Sequence, residues 1–355
     1  MKDPLANRRN FFRKLAGHSD PTTDPTESAI QNPDSPKTFL LHVTRTAMAC
    51  EFTVYLNAGQ HEEATEHALS ALDLVEQLED QLTVYRDHSE ISVLNRTAGS
   101  GPVSVNQGLR ELLERGQDIF RDTGGAFDMT AGPLSKLWGF HRREGRLPKQ
   151  AEIEKTLEQV GGQHVRLDSD AGTIQFSNPN VELNLGGIGK GYALDRSREL
   201  LLDNEVDDFL IHGGHSSVLG CGNRMGKSKP GWQVNVRHPL RPDRVLAEIY
   251  LRDQALGTSG SAVQSFQHQG KRYGHIIDPR TGWPAEEMLS STVIAPTAAQ
   301  SDALATAFYV GGVDLAEAYC EKHPNVAAVL IRKADRAGDV EVVSFGMSIV
   351  EWVAT

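Results

Sequence analysis

Asp302 and Thr306 stand four residues apart in the run Ser301-Asp302-Ala303-Leu304-Ala305-Thr306-Ala307, a spacing that puts both on one face of a helix. A carboxylate and a hydroxyl are hard oxygen donors, suited to Mg²⁺ rather than zinc. The same pair also reads as a helix N-terminal charge and a hydroxyl bonded back to a carbonyl. Upstream, Asn184-Leu185-Gly186-Gly187-Ile188-Gly189-Lys190-Gly191 takes a predicted strand end through glycines into a helix carrying Lys190. Backbone amides at a helix start plus an ammonium make an anion site, with phosphate the natural guest. The pattern is neither a Walker loop nor a dinucleotide fingerprint, and a tight left-handed turn packed on a sheet is the alternative. His275 precedes Ile276 and Ile277, which anchor a predicted strand, a placement that can project its ring into a site, where histidine titrates near neutral pH; a structural or solvated histidine is the alternative. Asp278-Pro279-Arg280-Thr281-Gly282 then reads as a turn. In Phe209-Leu210-Ile211-His212-Gly213-Gly214-His215-Ser216-Ser217 an apolar strand breaks into glycines and hydroxyls, either for close approach of a ligand or as a bulge.

The elements that must position these groups are legible from periodicity. Residues 39–57 alternate as a strand pair. Ala64, Ala68, Ala71, Leu72, Val75, Leu78 and Leu82 recur at three and four and predict an amphipathic helix over His61–Leu82. Further helices are predicted over Leu109–Phe120, Ile188–Leu202 and Ala298–Val310, the last stopped by Gly311-Gly312. Strands are predicted at 207–212, 231–236, 246–251 and 290–295. Helices and strands are mixed rather than alternating, which favours α+β over a doubly wound sheet.

Composition narrows the function. Of 355 residues, 39% are hydrophobic and 23% charged, a globular balance. Lys and Arg number 36 against 47 Asp and Glu, and the net charge of −11 argues against sequence-independent nucleic-acid binding. An acidic substrate therefore needs a local device. Cys50, Cys221 and Cys320 are too scattered for a disulfide framework or zinc knuckle. The longest apolar run, near Val326–Ile331, falls far short of the ~20 residues that span a bilayer, so no transmembrane segment is expected.

The first 37 residues stand apart. Arg8-Arg9-Asn10-Phe11-Phe12 has the look of a twin-arginine export signal, but an acidic stretch with prolines at 21, 25, 33 and 36 follows where the apolar segment belongs. Residues 1–37 are expected to be a disordered basic, proline-rich tail and 38–355 the folded domain. That start points to the cytoplasm, with the periplasm as the alternative.

Six segments in one order, Ala47–Phe52, Tyr85-Arg86 with Ser92, Leu94, Asn95 and Arg96, Gly125–Leu134, Gly187–Asp195, His275–Gly282 and Asp302–Ala307, resemble the FAD:protein FMN transferase (ApbE) family over about residues 40 to 345. The resemblance implies a two-lobed α+β fold related to the T-fold, with FAD between the lobes. It implies cleavage of FAD, attachment of FMN through a phosphoester to a Thr or Ser in the flavinylation motif of an acceptor flavoprotein, and release of AMP. By the same resemblance Asp302, Thr306 and the Gly187 carbonyl would hold Mg²⁺. Met48, Tyr85, Asp128, Thr130, Lys190, Asp195 and Ser259 would line the flavin nucleotide, and His275 would activate the acceptor hydroxyl. Asn184, where many relatives have Asp, and His215, where Asn, Asp or Gln is usual, depart from the pattern. An FAD pyrophosphatase and a non-catalytic FAD-binding protein are the rival readings.

Overall fold

A computed structural model describes residues 39–260, 264–334, 339–346 and 350–352. The tail of residues 1–37 lies outside them. Strands β1 (Leu40–Ala47) and β2 (Cys50–Asn57) form the predicted hairpin. Helix α1 (Ala64–Leu82) buries the seven residues that predicted it. After α2 (Glu90–Thr97) and the short β3 (Val103–Ser104), helix α3 (Gln107–Asp122) starts where the Asn106 side chain accepts from the Leu109 N–H, and buries Leu109, Leu112, Leu113 and Ile119. Helices α4 (Gly132–Leu137) and α5 (Gln150–Leu157) follow. Strands β4 (Val165–Asp168) and β5 (Thr173–Phe176) complete a small sheet with β3.

Helix α6 (Gly189–Asp203) leads into β6 (Phe209–Gly213), β7 (Ser217–Cys221), β8 (Trp232–His238), β9 (Arg241–Leu251) and β10 (Gln254–Gly260). A hairpin of β11 (Ser265–His268) and β12 (Lys271–Gly274) precedes β13 (Met288–Ala295), α7 (Ala298–Lys322), β14 (Ala327–Lys333), β15 (Val340–Phe345) and β16 (Val350–Trp352). The main sheet runs β1-β2-β6-β7-β10-β13-β14-β15, antiparallel throughout. Its one face packs on α1, α6 and α7, and the other meets β8 and β9 through Val236, Ala247 and Ile249. A separate apolar cluster of Leu134, Trp138, Phe140, Ile153, Tyr273 and Ile277 joins α4, α5 and the β11–β12 hairpin. The fold is α+β, as expected.

Three local expectations change. The stretch before Gly186 is not a strand; the Asn95 amide takes the place of a neighbouring strand, donating to the Leu183 carbonyl at 3.0 Å and accepting from its N–H at 2.8 Å. Ile276 and Ile277 anchor no strand either, only a single bridge from Ile277 to Pro284. Gly312 does break the last predicted helix, at φ 75°, but Ala316, Tyr319 and Cys320 are buried and bring the chain back into helix as far as Lys322.

Two glycines set the distance at which α7 packs. A Cβ on Gly191 would lie 2.1 Å from the Ala298 carbonyl oxygen, and one on Gly257 would lie 2.5 Å from the Ser301 backbone. Both obstacles are main chain, which cannot swing aside. Gly191→Ala is expected to lower stability by about 1–3 kcal/mol in urea melts, the usual range for overpacking. An unchanged midpoint would mean that α6 and α7 do not approach this closely.

Candidate active site

Because Gly191 lets α6 touch α7, Asp302 on the first turns of α7 sits against the start of α6. Its Oδ2 accepts the Gly191 N–H at 2.8 Å, and the Ser217 hydroxyl donates to the carboxylate at 2.8 Å. Burial pushes the Asp302 pKa up to about 6, with Lys190 nearby offsetting part of the cost. The Gly191 N–H is turned toward Asp302, and among the described residues no backbone N–H bonds to the Gly187 carbonyl. One turn further along α7, Thr306 Oγ1 is 3.0 Å from Ser259 Oγ. A Cβ on Gly187 would lie 3.7 Å from that same Thr306 oxygen. Carboxylate and hydroxyls thus meet the Gly187 turn beside an ammonium, and the Lys190 ammonium has no hydrogen bond or ion pair among the described residues.

His275 faces this group across a cleft of about 490 Å³ that both line. Its Nδ1 is 3.0 Å from the Gln264 carbonyl, which also accepts the His275 N–H at 3.2 Å. A carbonyl only accepts, so Nδ1 carries the proton and Nε2 keeps a lone pair. Burial lowers the His275 pKa, Lys190 lowers it further, and the bond to Gln264 works the other way. The Gln264 side chain donates to the Phe140 carbonyl at 2.7 Å, and the Phe140 ring stands edge-on to the imidazole at 6.4 Å.

Of the flavin-lining residues implied by the resemblance, Tyr85, Asp128, Lys190 and Ser259 line the cleft with His275, Gly187, Asp302 and Thr306. Met48 lines an adjoining pocket that shares Tyr85 and Lys190, at the tip of the β1–β2 hairpin, where Met48 and Ala49 both have positive φ. Asp128 is spoken for: Oδ1 accepts from the Thr130 N–H and hydroxyl, each at 2.7 Å, and Oδ2 from the Gly162 N–H at 3.1 Å. Burial nonetheless raises its pKa. Two residues are placed elsewhere. Thr130 is buried behind Asp128, its hydroxyl accepting from the Gly161 N–H at 2.7 Å. Asp195 caps α7 instead, accepting from the amides of Ala298 and Ala299 at 2.7 and 2.9 Å, and its burial raises its pKa to about 6. Thr130 thus holds the Gly161 backbone, and Asp195 that of Ala298 and Ala299.

The donor set fits a hard cation: one carboxylate, one hydroxyl and one carbonyl, with the rest of the shell left to phosphate or water. Among the described residues no group of three or more His, Cys, Asp or Glu could hold a metal, so a zinc-type site is not on offer there. The sequence marks Ser217 only as part of a glycine-broken run and does not mark Gln264 at all. Ser217 opens β7 just after the glycine break at Gly213-Gly214. His215 is exposed and does not line the cleft.

Comparison with known proteins places this geometry. The chain is 32% identical over 287 residues to an FAD:protein FMN transferase of Klebsiella pneumoniae, covering 79% of this chain and 86% of that protein. It is 32% identical over 271 residues to that of Treponema pallidum, covering 73% and 75%. The crystal structure of an ApbE protein from Thermotoga maritima superposes with a TM-score of 0.75 at 28% identity, over 85% of this chain and 96% of that one. The flavin transferase ApbE from Vibrio cholerae gives 0.76 at 25% identity, over 87% and 97%. No helix among the described residues is long and apolar enough to cross a membrane. With the ApbE family profile matching residues 47–330, the chain belongs to the ApbE family.

Proposed function

We propose that this chain moves FMN from FAD to a Thr or Ser hydroxyl of an acceptor protein and releases AMP. The observation that carries the reading is one cleft in which Asp302, Thr306, the Gly187 turn and Lys190 face a histidine whose Nε2 has no partner among the described residues. The acceptor oxygen attacks the phosphorus of the FMN half, a phosphoester forms, and the pyrophosphate bond breaks with its electron pair leaving on AMP. The hydroxyl proton passes to Nε2 of His275. Lys190 sets an ammonium against the pyrophosphate charge, which is how an acidic protein accepts an acidic substrate. Mg²⁺, held by Asp302, Thr306 and the Gly187 carbonyl, supplies charge neutralisation at the pyrophosphate when bound.

Gln264 is a positioning residue in this reading, because its side chain anchors the segment whose carbonyl fixes the His275 tautomer. Gln264→Met keeps the volume and loses the donor to Phe140. It is expected to lower kcat about 3–10-fold, the worth of one hydrogen bond, with KM for FAD unchanged. The bond to Gln264 raises the His275 pKa, so a looser bond moves the acid limb of the pH profile to lower pH. A variant with wild-type kcat and profile would remove Gln264 from this role.

Incubating the chain with FAD, Mg²⁺ and a peptide carrying a flavinylation motif tests the whole reading by mass spectrometry. An FMN adduct on the peptide with stoichiometric AMP is expected. Free FMN without adduct would make the chain a pyrophosphatase, and intact bound FAD a carrier.

A further inference from the structure

On the transferase reading an acceptor reaches His275 through the cleft mouth, and the turn after Phe140 sets two exposed arginines, Arg142 and Arg143, beside one exposed carboxylate, Glu144, on a chain of net charge −11. Phe140–Arg142 form one 3-10 turn between Gly139 at φ 74° and Arg143 at φ 58°. Phe140 and His141 line the cleft, and Arg142 and Arg143 next to them are exposed. Nearby, Lys136, Arg146, Lys271 and Arg280 are paired with Glu182, Glu152, Glu286 and Asp278, whereas the side chains of Arg142 and Arg143 have no such partner among the described residues. Arg143 also occupies a left-handed conformation that glycine would adopt without strain, and such an outlier is a pointer to function. The turn is not free to drift: the Arg143 N–H bonds the Phe140 carbonyl at 3.1 Å, and Gln264 bonds the same carbonyl from the His275 side. Tyr85, 74% exposed, and Trp283, 37% exposed, add the aromatic content that with arginine marks protein interfaces.

We propose that the turn from Gly139 to Arg146 is the docking platform for an acidic segment of the acceptor protein, Arg142 and Arg143 taking carboxylates close to the hydroxyl to be modified. The proposal rests on the transferase reading for its biological meaning, but the binding event is separable. The occupant is a peptide segment rather than FAD, because the ammonium and oxygen donors suited to a pyrophosphate lie inside the cleft at Lys190 and Asp302 while these guanidiniums stand outside it.

The test uses the full chain loaded with FAD and two fluorescein-labelled peptides, each with one Thr, flanked by Asp and Glu in one and by Asn and Gln in the other. Fluorescence anisotropy is expected to show the acidic peptide binding the wild type at least ~10-fold more tightly, a preference that shrinks with added salt. Arg142→Glu/Arg143→Glu is expected to abolish the preference with FAD affinity unchanged. The control Arg224→Glu/Lys227→Glu makes the same charge change at the far end of β7, roughly 13 Å of strand from Ser217, and is expected to keep most of the preference. Arg143→Gly should weaken acidic-peptide binding while Tm holds or rises, since the left-handed position is relaxed. Equal binding of the two peptides by the wild type, or equal losses in the near and far double variants, would overturn the proposal. Acidic-peptide binding without FMN transfer would instead sink the transferase reading and leave the docking site standing.

Discussion

His275→Ala is expected to retain FAD binding yet lose FMN transfer by ~10²–10⁴-fold, the usual cost of removing a positioned general base. The imidazole is neutral at neutral pH because burial lowers its pKa below the ordinary 6.5. Protonation therefore removes the lone pair on Nε2 only at pH values below that of a free histidine. Wild-type kcat should fall on the acid side, His275 losing its lone pair at a pH below that at which a free histidine protonates. The Ala variant should lose the part of that limb that His275 contributes, leaving that of Asp302, whose pKa burial raises to about 6, and recover part of its rate at high pH, where the hydroxyl needs less help. Transfer rates with saturating FAD across pH 5 to 9 check this. Unchanged transfer would exclude His275 as the base, and a loss confined to FAD affinity would make it a flavin contact.

Asp302→Asn is the second large effect. The amide can still accept the Gly191 N–H through Oδ1 and donate to Ser217 through Nδ2, so both hydrogen-bond positions stay occupied. The negative charge is gone, and with it the chief attraction for a hard cation. Mg²⁺-dependent transfer is expected to fall by at least ~10²-fold, and calorimetric Mg²⁺ binding to disappear. Tm should hold or rise, because a buried charge costs stability and is removed. Full activity at low Mg²⁺ would reduce Asp302 to a packing acid, whereas a collapse of Tm would show that its charge holds the two helices together.

Much of this protein is written locally. The seven apolar residues of α1 recur at three and four, and helix periodicity alone assigns them to the core face that they occupy. Asp302 and Thr306 share a face for the same reason, and the order of short segments identifies the family. Short elements such as α2, α4, β7 and β10 left too few periods to be read, and the apolar run at Val326–Ile331 gave no direction until β14 was seen buried between β13 and β15. Alternation at Val181, Leu183 and Leu185 resembles a strand, but a side-chain amide, not a strand, answers it.

Tertiary structure alone decided which groups meet. Gly191 and Asp302 are 111 residues apart, and Asp195 and Ala298 are 103 apart. Nothing in the window around Asp195 says that its carboxylate will be consumed by the amides of α7, nor that Thr130 will hold Gly161 rather than a ligand. Gln264 becomes meaningful only when its carbonyl is found on His275 and its amide on Phe140. Periodicity records how a segment meets solvent and core, a property of neighbours along the chain. A hydrogen bond between distant segments depends on how closely their backbones approach, and here that approach is permitted by missing side chains at Gly191 and Gly257 that carry no partner's name in the sequence.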